Sequence, residues 1–409
     1  HKPNPACLSR NLIALLHYGG VPKDFFIKLV REAFNQIQNE FHDRRKALKA
    51  VKKHESLDAY HVALRMLSCG IPLHEPLLQH QLNKYMLEEI SSFKKGKVPL
   101  KDSFYLMGTA DPTEQLKSNE VCVILDHGQV CGKVLVYRNP GLHFGDIHVF
   151  KATYVEDMEK FVGDSKFAIF FSTQGPRSAS DEIAKGDFDG DLFWVSVNAN
   201  LLKHFKPGTP WERPAQDKVM LQLRPTDLSH EELEEKLIEE FFNLRFAPSN
   251  EKGIAAESWL VFMDRLLTPG VKNLKERQSL EQKMLTLTNI YYEALDAPKS
   301  GRKVDVPKNL RPHKKPHFLN KNPQNEDPNR FYKSSSVLGE IYDQIPSDTG
   351  SQLNEIWTIP CFQKVKVVKI KSEWKRHYTR YLSEMTIALK AAGPSKDSNA
   401  KTVIQKYKE

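Results

Sequence analysis

Between about residues 11 and 93, apolar side chains recur at every third or fourth position: Leu12, Leu15 and Leu16, then Phe25, Phe26, Leu29, Val30, Phe34, Ile37 and Phe41. That repeat belongs to helices with one buried face. Gly19-Gly20-Val21-Pro22 ends one helix and starts the next, because a proline is tolerated in a first turn, where its missing N–H has no partner anyway. The second helix leaves as a basic run (Arg44, Arg45, Lys46, Lys49, Lys52, Lys53), read either as a solvated face or as a contact to phosphate. From residue 99 to about 198 the pattern changes to short β-branched and aromatic runs at 103–107, 121–125, 130–137, 146–151, 167–172 and 192–197. Turn residues separate them, including Gly108, Asp111-Pro112, Asp126-His127-Gly128 and Asn139-Pro140-Gly141. Six strands within about 100 residues predict a small barrel or sandwich rather than a parallel βαβ sheet.

Helical periodicity returns at 231–246, 253–267 and 273–295, the first stretch opened by Ser229 with acids in its first turn. Residues 298–330 are rich in Pro and Lys and hold too little apolar surface for a core, so an extended segment ordered by contact, or a linker, is expected there. A last helical part runs from 335 towards 392, and the polar tail beyond Gly393 is expected to fray.

Composition narrows the class of molecule. With 409 residues, 40% hydrophobic and 27% charged, the chain has room for two or three domains and is neither disordered throughout nor collagen-like. No run approaches the ~18 apolar residues of a membrane span. The sequence starts at His1 with no secretory pattern, and reads as a segment of something longer. A net charge of +9 only weakly favours an anionic partner. Cys7, Cys69, Cys122, Cys131 and Cys361 are odd in number and never paired as C-x-x-C. That argues against a disulfide framework or zinc site and for an intracellular place, nucleus or cytoplasm.

One motif carries chemistry. Lys185-Gly186-Asp187-Phe188-Asp189-Gly190-Asp191 precedes the strand at 192–197. On a straight strand alternate carboxylates would stand roughly 6.5–7 Å apart, too far to share one small cation. Gly186 and Gly190 permit a tight turn that would gather them. Three converging carboxylates repel one another unless cations lie between them, and hard oxygen ligands without His or Cys point to Mg²⁺, with Mn²⁺ as a substitute. An EF-hand is excluded, because its sixth and twelfth places hold Leu192 and Asn198. A haloacid-type phosphatase is disfavoured, because no apolar strand precedes Asp187 and Asp191 stands where a Thr is needed.

Asp187-Phe188-Asp189-Gly190-Asp191 in a barrel loop resembles the metal-binding signature of polymerases built on double-psi β-barrels. Its surroundings resemble the eukaryotic cellular RNA-dependent RNA polymerases of RNA silencing. Four further blocks match that family in order. They are Leu8-Ser9-Arg10-Asn11-Leu12-Ile13 with the Gly19-Gly20-Val21-Pro22 break, and residues 106–113 (Leu-Met-Gly-Thr-Ala-Asp-Pro-Thr). The others are residues 132–140 continuing through His143-Phe144-Gly145-Asp146-Ile147, and residues 291–299 (Tyr-Tyr-Glu-Ala-Leu-Asp-Ala-Pro-Lys). The Phe between the first two Asp is similar to the plant gamma group. Two places depart from the family pattern: Lys185, where a small residue is usual, and Glu114-Gln115, where a Gly usually follows Asp-Pro-Thr.

The resemblance implies an α+β fold: the second double-psi β-barrel of a two-barrel polymerase core, with a helical connector at 1–98, the barrel at 99–200, a helical neck and head region at 201–345, and a basic helical part at 346–409. The first barrel lies outside this chain. The implied activity is template-directed RNA synthesis, with RNA template and product and ribonucleoside triphosphates as partners, in silencing or antiviral defence. The alternative is a non-catalytic RNA-binding scaffold that keeps the fold. Asp187, Asp189 and Asp191 are the expected catalytic and metal-holding residues. Arg138 and Asn139, in a turn, are read either as holding a phosphate or ribose hydroxyl or as an Asn-Pro turn with an exposed Arg; Lys133 and Lys185 complete the expected RNA- or nucleotide-binding set. His143 reads as a turn histidine before a ligand. The basic clusters at 299–317 and at Lys364, Lys366, Lys369, Lys371, Lys375 and Arg376 are expected to meet phosphate backbone.

Overall fold

The computed structural model describes residues 6–53, 61–163, 166–213, 224–246, 250–270, 273–300, 304–320, 327–345, 368–390 and 395–408. In chain order its elements are β1 (Cys7–Leu8), α1 (Arg10–Tyr18), α2 (Lys23–Glu40), α3 (Arg44–Lys53), α4 (Val62–Ser68), α5 (Pro76–Lys94) and β2 (Val98–Pro99). Next come β3 (Ser103–Ala110), β4 (Glu120–Leu125), β5 (Gly128–Val130), β6 (Gly132–Arg138), β7 (Ile147–Ala152), α6 (Met158–Val162), β8 (Ala168–Phe171), α7 (Ala179–Glu182), β9 (Leu192–Ser196) and α8 (Ala199–His204). The rest are α9 (His230–Phe246), α10 (Glu251–Leu267), α11 (Leu274–Ser300), β10 (Lys315–Pro316), β11 (Phe331–Tyr332), α12 (Val337–Asp343), α13 (Val368–Lys390) and α14 (Ser395–Lys406).

Local chemistry accounts for the helix starts. The Leu12 N–H donates to Ser9 Oγ at 3.2 Å, which caps α1, and the Leu78 N–H donates to Glu75 Oε2 at 2.6 Å, with Pro76 in the first turn of α5. The chain breaks between α1 and α2 at Gly20, whose φ of +106° is natural for glycine.

Six strands close into a barrel in the order β4-β7-β6-β9-β3-β8, with β8 returning to β4. The β3–β8 and β4–β7 pairs are parallel and the others antiparallel. Alternate residues divide between two cores, as the two-residue strand repeat requires. Val134, Val136, Phe193 and Val195 point into the barrel with Leu106, Val121, Val123, Ile169 and Phe171. Leu135, Tyr137 and Trp194 point outward into a larger core shared with α1, α10 and α11 through Leu12, Leu16, Trp259, Met284 and Tyr292. Gly108 on β3 is required by space: a Cβ there would fall 2.4 Å from the Phe193 ring. The barrel is the double-psi type and the fold class is α+β, as the sequence leads one to expect.

Four local expectations change. The basic run does not continue the second helix: α2 ends at Glu40, and the run forms a helix of its own, α3. The run 130–137 is two strands: Val130 ends β5 and pairs with β4, and the chain turns through Cys131 to Gly132 at φ +113° before β6. The run 103–107 extends to Ala110, because β3 also pairs with β8 at that end. Beyond Gly393 the tail is helical as α14, where amphipathic pairing holds it: Lys406 Nζ lies 2.7 Å from a Glu384 carboxylate oxygen, and Tyr407 packs edge-on against Tyr381 of α13. Helices α13 and α14 belong to a unit of their own. In the Pro- and Lys-rich segment, buried Val306, Leu310 and Phe318 supply the anchoring contacts, and β10 pairs with β11.

Candidate metal centre

The loop between α7 and β9 sets the geometry. Ala184, Lys185 and Phe188 adopt left-handed φ values of 52°, 59° and 61°, and Gly190 follows at 123°. Three such residues without glycine's freedom store strain and need outside support. The turn gathers Asp187, Asp189 and Asp191 so that one carboxylate oxygen from each lies within 4.8 Å of the others, against the roughly 6.5–7 Å of a straight strand. Among the described residues this is the one cluster of three or more His, Cys, Asp or Glu side chains with metal-holding geometry. Asp187 and Asp189 are exposed, whereas the Asp191 side chain is only 10% exposed.

Asp191 is the buried member. Its Oδ2 accepts from the Asp187 N–H at 3.2 Å, and its own carbonyl accepts from the Gly108 N–H of β3 at 3.2 Å. Gly186 has no room for a side chain: a Cβ would lie 2.3 Å from Ser180 Oγ and 3.2 Å from Asp191 Oδ2. Phe188 turns from the two Asp that flank it and caps the barrel core, with ring centroids 5.4 Å from Phe171 and 6.2 Å from Phe193.

The other expected site residues separate. Arg138, at the end of β6, lies beside the trio: its Nη2 is 2.6 Å from Asp191 Oδ1 and its Nη1 donates to the Ala184 carbonyl at 2.8 Å. Asn139 follows it at the rim, exposed, donating from Nδ2 to the Tyr105 hydroxyl at 2.9 Å. Lys185 is not a cation aimed at the trio; its Nζ pairs with Asp296 of α11. Lys133 is the second residue of β6, five strand positions or roughly 17 Å from Arg138. It lies on the outward face opposite Lys151, so the fold does not bring it to the carboxylates. His143 is a turn residue whose Nδ1 accepts from the Gly145 N–H at 3.1 Å; burial holds its imidazole down at about 4.

Two residues with a structural hold on the loop carried no chemical signal in sequence. Asp146 is fully buried just before β7. Its Oδ1 accepts from the Ala184 N–H at 3.1 Å, and its Oδ2 accepts from the His143 N–H at 2.6 Å and from the Tyr292 hydroxyl. Burial pushes the Asp146 carboxyl up to about 7 against those donors. Both residues lie in blocks shared with the polymerases, but a lone Asp before a strand and a Tyr on a helix read as ordinary structure.

The basic segments also divide. Arg311 pairs with Glu251 and Asp305, Lys315 pairs with Glu257, and Lys314 donates to the Pro328 carbonyl, so these are engaged within the fold. Lys375 and Arg376 are exposed on α13. Arg302, Lys303, Lys364 and Lys366 lie outside the described residues. Among the described residues no helix is long and apolar enough to cross a membrane.

Three hard carboxylates gathered in this arrangement suit divalent cations. The family profile described as RNA dependent RNA polymerase matches residues 1–345. The chain is 45% identical over 412 residues to the probable RNA-dependent RNA polymerase 5 of Arabidopsis thaliana, covering 100% of this chain and 41% of that protein. It is 46% identical over 408 residues to the probable RNA-dependent RNA polymerase 4 of Oryza sativa subsp. japonica, covering 98% of this chain and 34% of that protein. The chain thus spans about two fifths or less of the relatives it matches. Among solved structures, the RNA dependent RNA polymerase QDE-1 from Thielavia terrestris shares the fold at a TM-score of 0.64 and 15% identity, over 95% of this chain and 48% of that one. With the family profile running through the helices, the barrel and the carboxylate loop alike, this chain belongs to the RNA-dependent RNA polymerase family.

Proposed function

We propose that this chain carries the nucleotidyl-transfer centre of an enzyme that copies an RNA template into complementary RNA from ribonucleoside triphosphates, inside the cell, in nucleus or cytoplasm. The observation that carries this reading is the convergence of Asp187, Asp189 and Asp191 within 4.8 Å at the mouth of the closed barrel. Bound Mg²⁺, or Mn²⁺ in its place, would activate the primer hydroxyl and hold the leaving pyrophosphate.

The residues divide the work by burial. Asp191, fixed by β3, by Arg138 and by the start of β9, is the natural shared ligand. Asp187 and Asp189, exposed on the turn, complete the shell and face arriving nucleotide. Arg138 neutralises part of the carboxylate charge and offers the remaining edge of its fork to a triphosphate, a role that suits a planar guanidinium. Asn139 beside it presents its amide at the rim to a ribose hydroxyl. Lys185 serves loop placement through Asp296, and Lys133, on the outer face, has no part in the transfer step.

The test is synthesis by the full-length protein given RNA template, labelled ribonucleoside triphosphates and Mg²⁺. Labelled polymer complementary to the template is expected. RNA binding without polymer would leave the scaffold reading, and free phosphate would point to a hydrolase.

A further inference from the structure

The turn that gathers the carboxylates is strained where it begins, at the consecutive left-handed residues Ala184 and Lys185. Side chains bearing a methyl or more pay for that conformation at each position, so something outside the loop must hold it. Both sides of Ala184 are held. Its N–H donates to Asp146 Oδ1 at 3.1 Å, and its carbonyl accepts from Arg138 Nη1 at 2.8 Å, while the same guanidinium grips Asp191.

Asp146 is placed to act as a fixed point. It is fully buried, at the junction of the 139–146 turn with β7, and its second oxygen is taken by the His143 N–H and by the Tyr292 hydroxyl from α11. The Tyr292 oxygen in turn accepts from the Leu142 N–H at 3.1 Å. Gly141 packs so closely that a Cβ there would lie 2.9 Å from Asp146 Oδ2. The carboxylate therefore cannot swing away from Ala184, and a helix 146 residues further along the chain is tied through it to the entry of the metal loop.

We propose that Asp146 is a positioning residue for the carboxylate centre: by holding the Ala184 N–H it sets the left-handed entry of the loop and thereby the convergence of Asp187, Asp189 and Asp191. It touches neither substrate nor cation. The proposal rests on the reading of the trio as a metal site. Groups that orient ligands from behind typically change metal affinity about 10–100-fold when removed. Asp146→Asn is the sharpest change, since it keeps size and shape. A single amide cannot present oxygen to both Ala184 N–H and His143 N–H, so one of the two backbone donors loses its acceptor.

The experiment is Mn²⁺ titration of the RNA-free full-length protein, followed by electron paramagnetic resonance, with thermal unfolding of each variant alongside. Asp189→Asn identifies the signal that belongs to the trio. Ser103→Ala controls for stability alone, because it removes a buried hydrogen bond from Ser103 Oγ to Ser196 Oγ at the end of the β3–β9 ladder away from the loop. We expect Asp146→Asn to raise the Mn²⁺ Kd about tenfold or more, and Ser103→Ala to leave it within about twofold even where it melts lower. Mn²⁺ binding lost in Asp189→Asn but unchanged in Asp146→Asn would overturn the proposal alone. Binding indifferent to Asp189→Asn would remove the metal reading, and the proposal with it. Should Asp146→Asn not fold, an amide-to-ester replacement at Ala184, which deletes only the N–H, decides by the same Kd.

Discussion

Arg138 Nη2 and Asp191 Oδ1 stand 2.6 Å apart, joining the end of β6 to the start of β9 at the centre of the carboxylate cluster. Their registers adjoin, since Arg138 pairs with Phe193 across the β6–β9 ladder. The pair is mostly shielded from water, with side chains 18% and 10% exposed, so breaking it leaves a charge that water cannot fully compensate.

For that reason Asp191→Ala should abolish RNA synthesis and also lower stability. Three repelling carboxylates read alone suggest that removing one relieves strain, but the guanidinium reverses the sign for Asp191. Loss of an acceptor to a charged, half-buried donor costs about 1–3 kcal/mol. Turnover should fall by orders of magnitude, because a shared metal ligand acts mainly in the transition state. Synthesis near the wild-type rate with either Mg²⁺ or Mn²⁺ would sink the assignment.

Arg138→Lys keeps the charge and should still fail. One ammonium cannot reach the Ala184 carbonyl and Asp191 Oδ1 together while leaving an edge for phosphate. Steady-state kinetics should show kcat/KM for ribonucleoside triphosphates reduced at least about tenfold, or about 1.4 kcal/mol. Unchanged kcat/KM would show that the charge alone suffices.

Phe188 separates packing from chemistry. Its ring lies against Phe171 and Phe193 at the barrel mouth. Phe188→Leu, which refills most of that volume, should cost less than about 1.5 kcal/mol and keep most activity. Phe188→Ala should cost about 3 kcal/mol or more at a closed site, somewhat less at this half-covered one, and loosen the carboxylates on either side. Denaturant midpoints together with turnover decide between them; equal activity in the two variants would mean the ring does not hold the loop.

Acid should destabilise the protein through His148. Burial and the nearby Arg177 hold its imidazole down at about 4, against 6.5 for an ordinary histidine. A group depressed in the folded state contributes stability that is present above 6.5 and lost as pH falls towards 4. His143 acts in the same direction, whereas Asp146, raised to about 7, opposes it by losing stability as pH rises from about 4 towards 7. The variant must therefore be compared with wild type at each pH: His148→Phe should flatten the fall between pH 6.5 and 4. An unaltered acid limb would refute this.

Affinity for RNA should drop with salt, but not through Arg311 or Lys315, which are already paired with Glu251 and Glu257. Neutralising those two should leave the slope of log K against log salt unchanged. Each exposed phosphate-contacting lysine should remove about one unit of that slope; Lys46, Lys49 and Lys52 on α3 are exposed and are the comparison set. A slope reduced by the Arg311 and Lys315 changes would show that those pairs open on RNA.

What could be read from the sequence was local. Asp187, Asp189 and Asp191 sit within five residues, with Gly186 and Gly190 beside them, so their convergence follows from the backbone freedom of a short loop. The barrel strands were legible because β-branched and aromatic runs alternate with turn residues over short distances. The closing contact of β8 on β4, the grip of Arg138 on Asp191, the diversion of Lys185 to Asp296, and the hold of Asp146 on Ala184 all join residues 38 to 111 positions apart, or lie across a sheet whose register no single run specifies. A charged side chain takes whichever partner the fold brings within 3 Å, and periodicity along the chain carries no record of that choice. The folding of α14 has the same cause: its polar sequence lacks intrinsic stability, and the Glu384 and Tyr381 contacts of α13 supply what the tail alone does not.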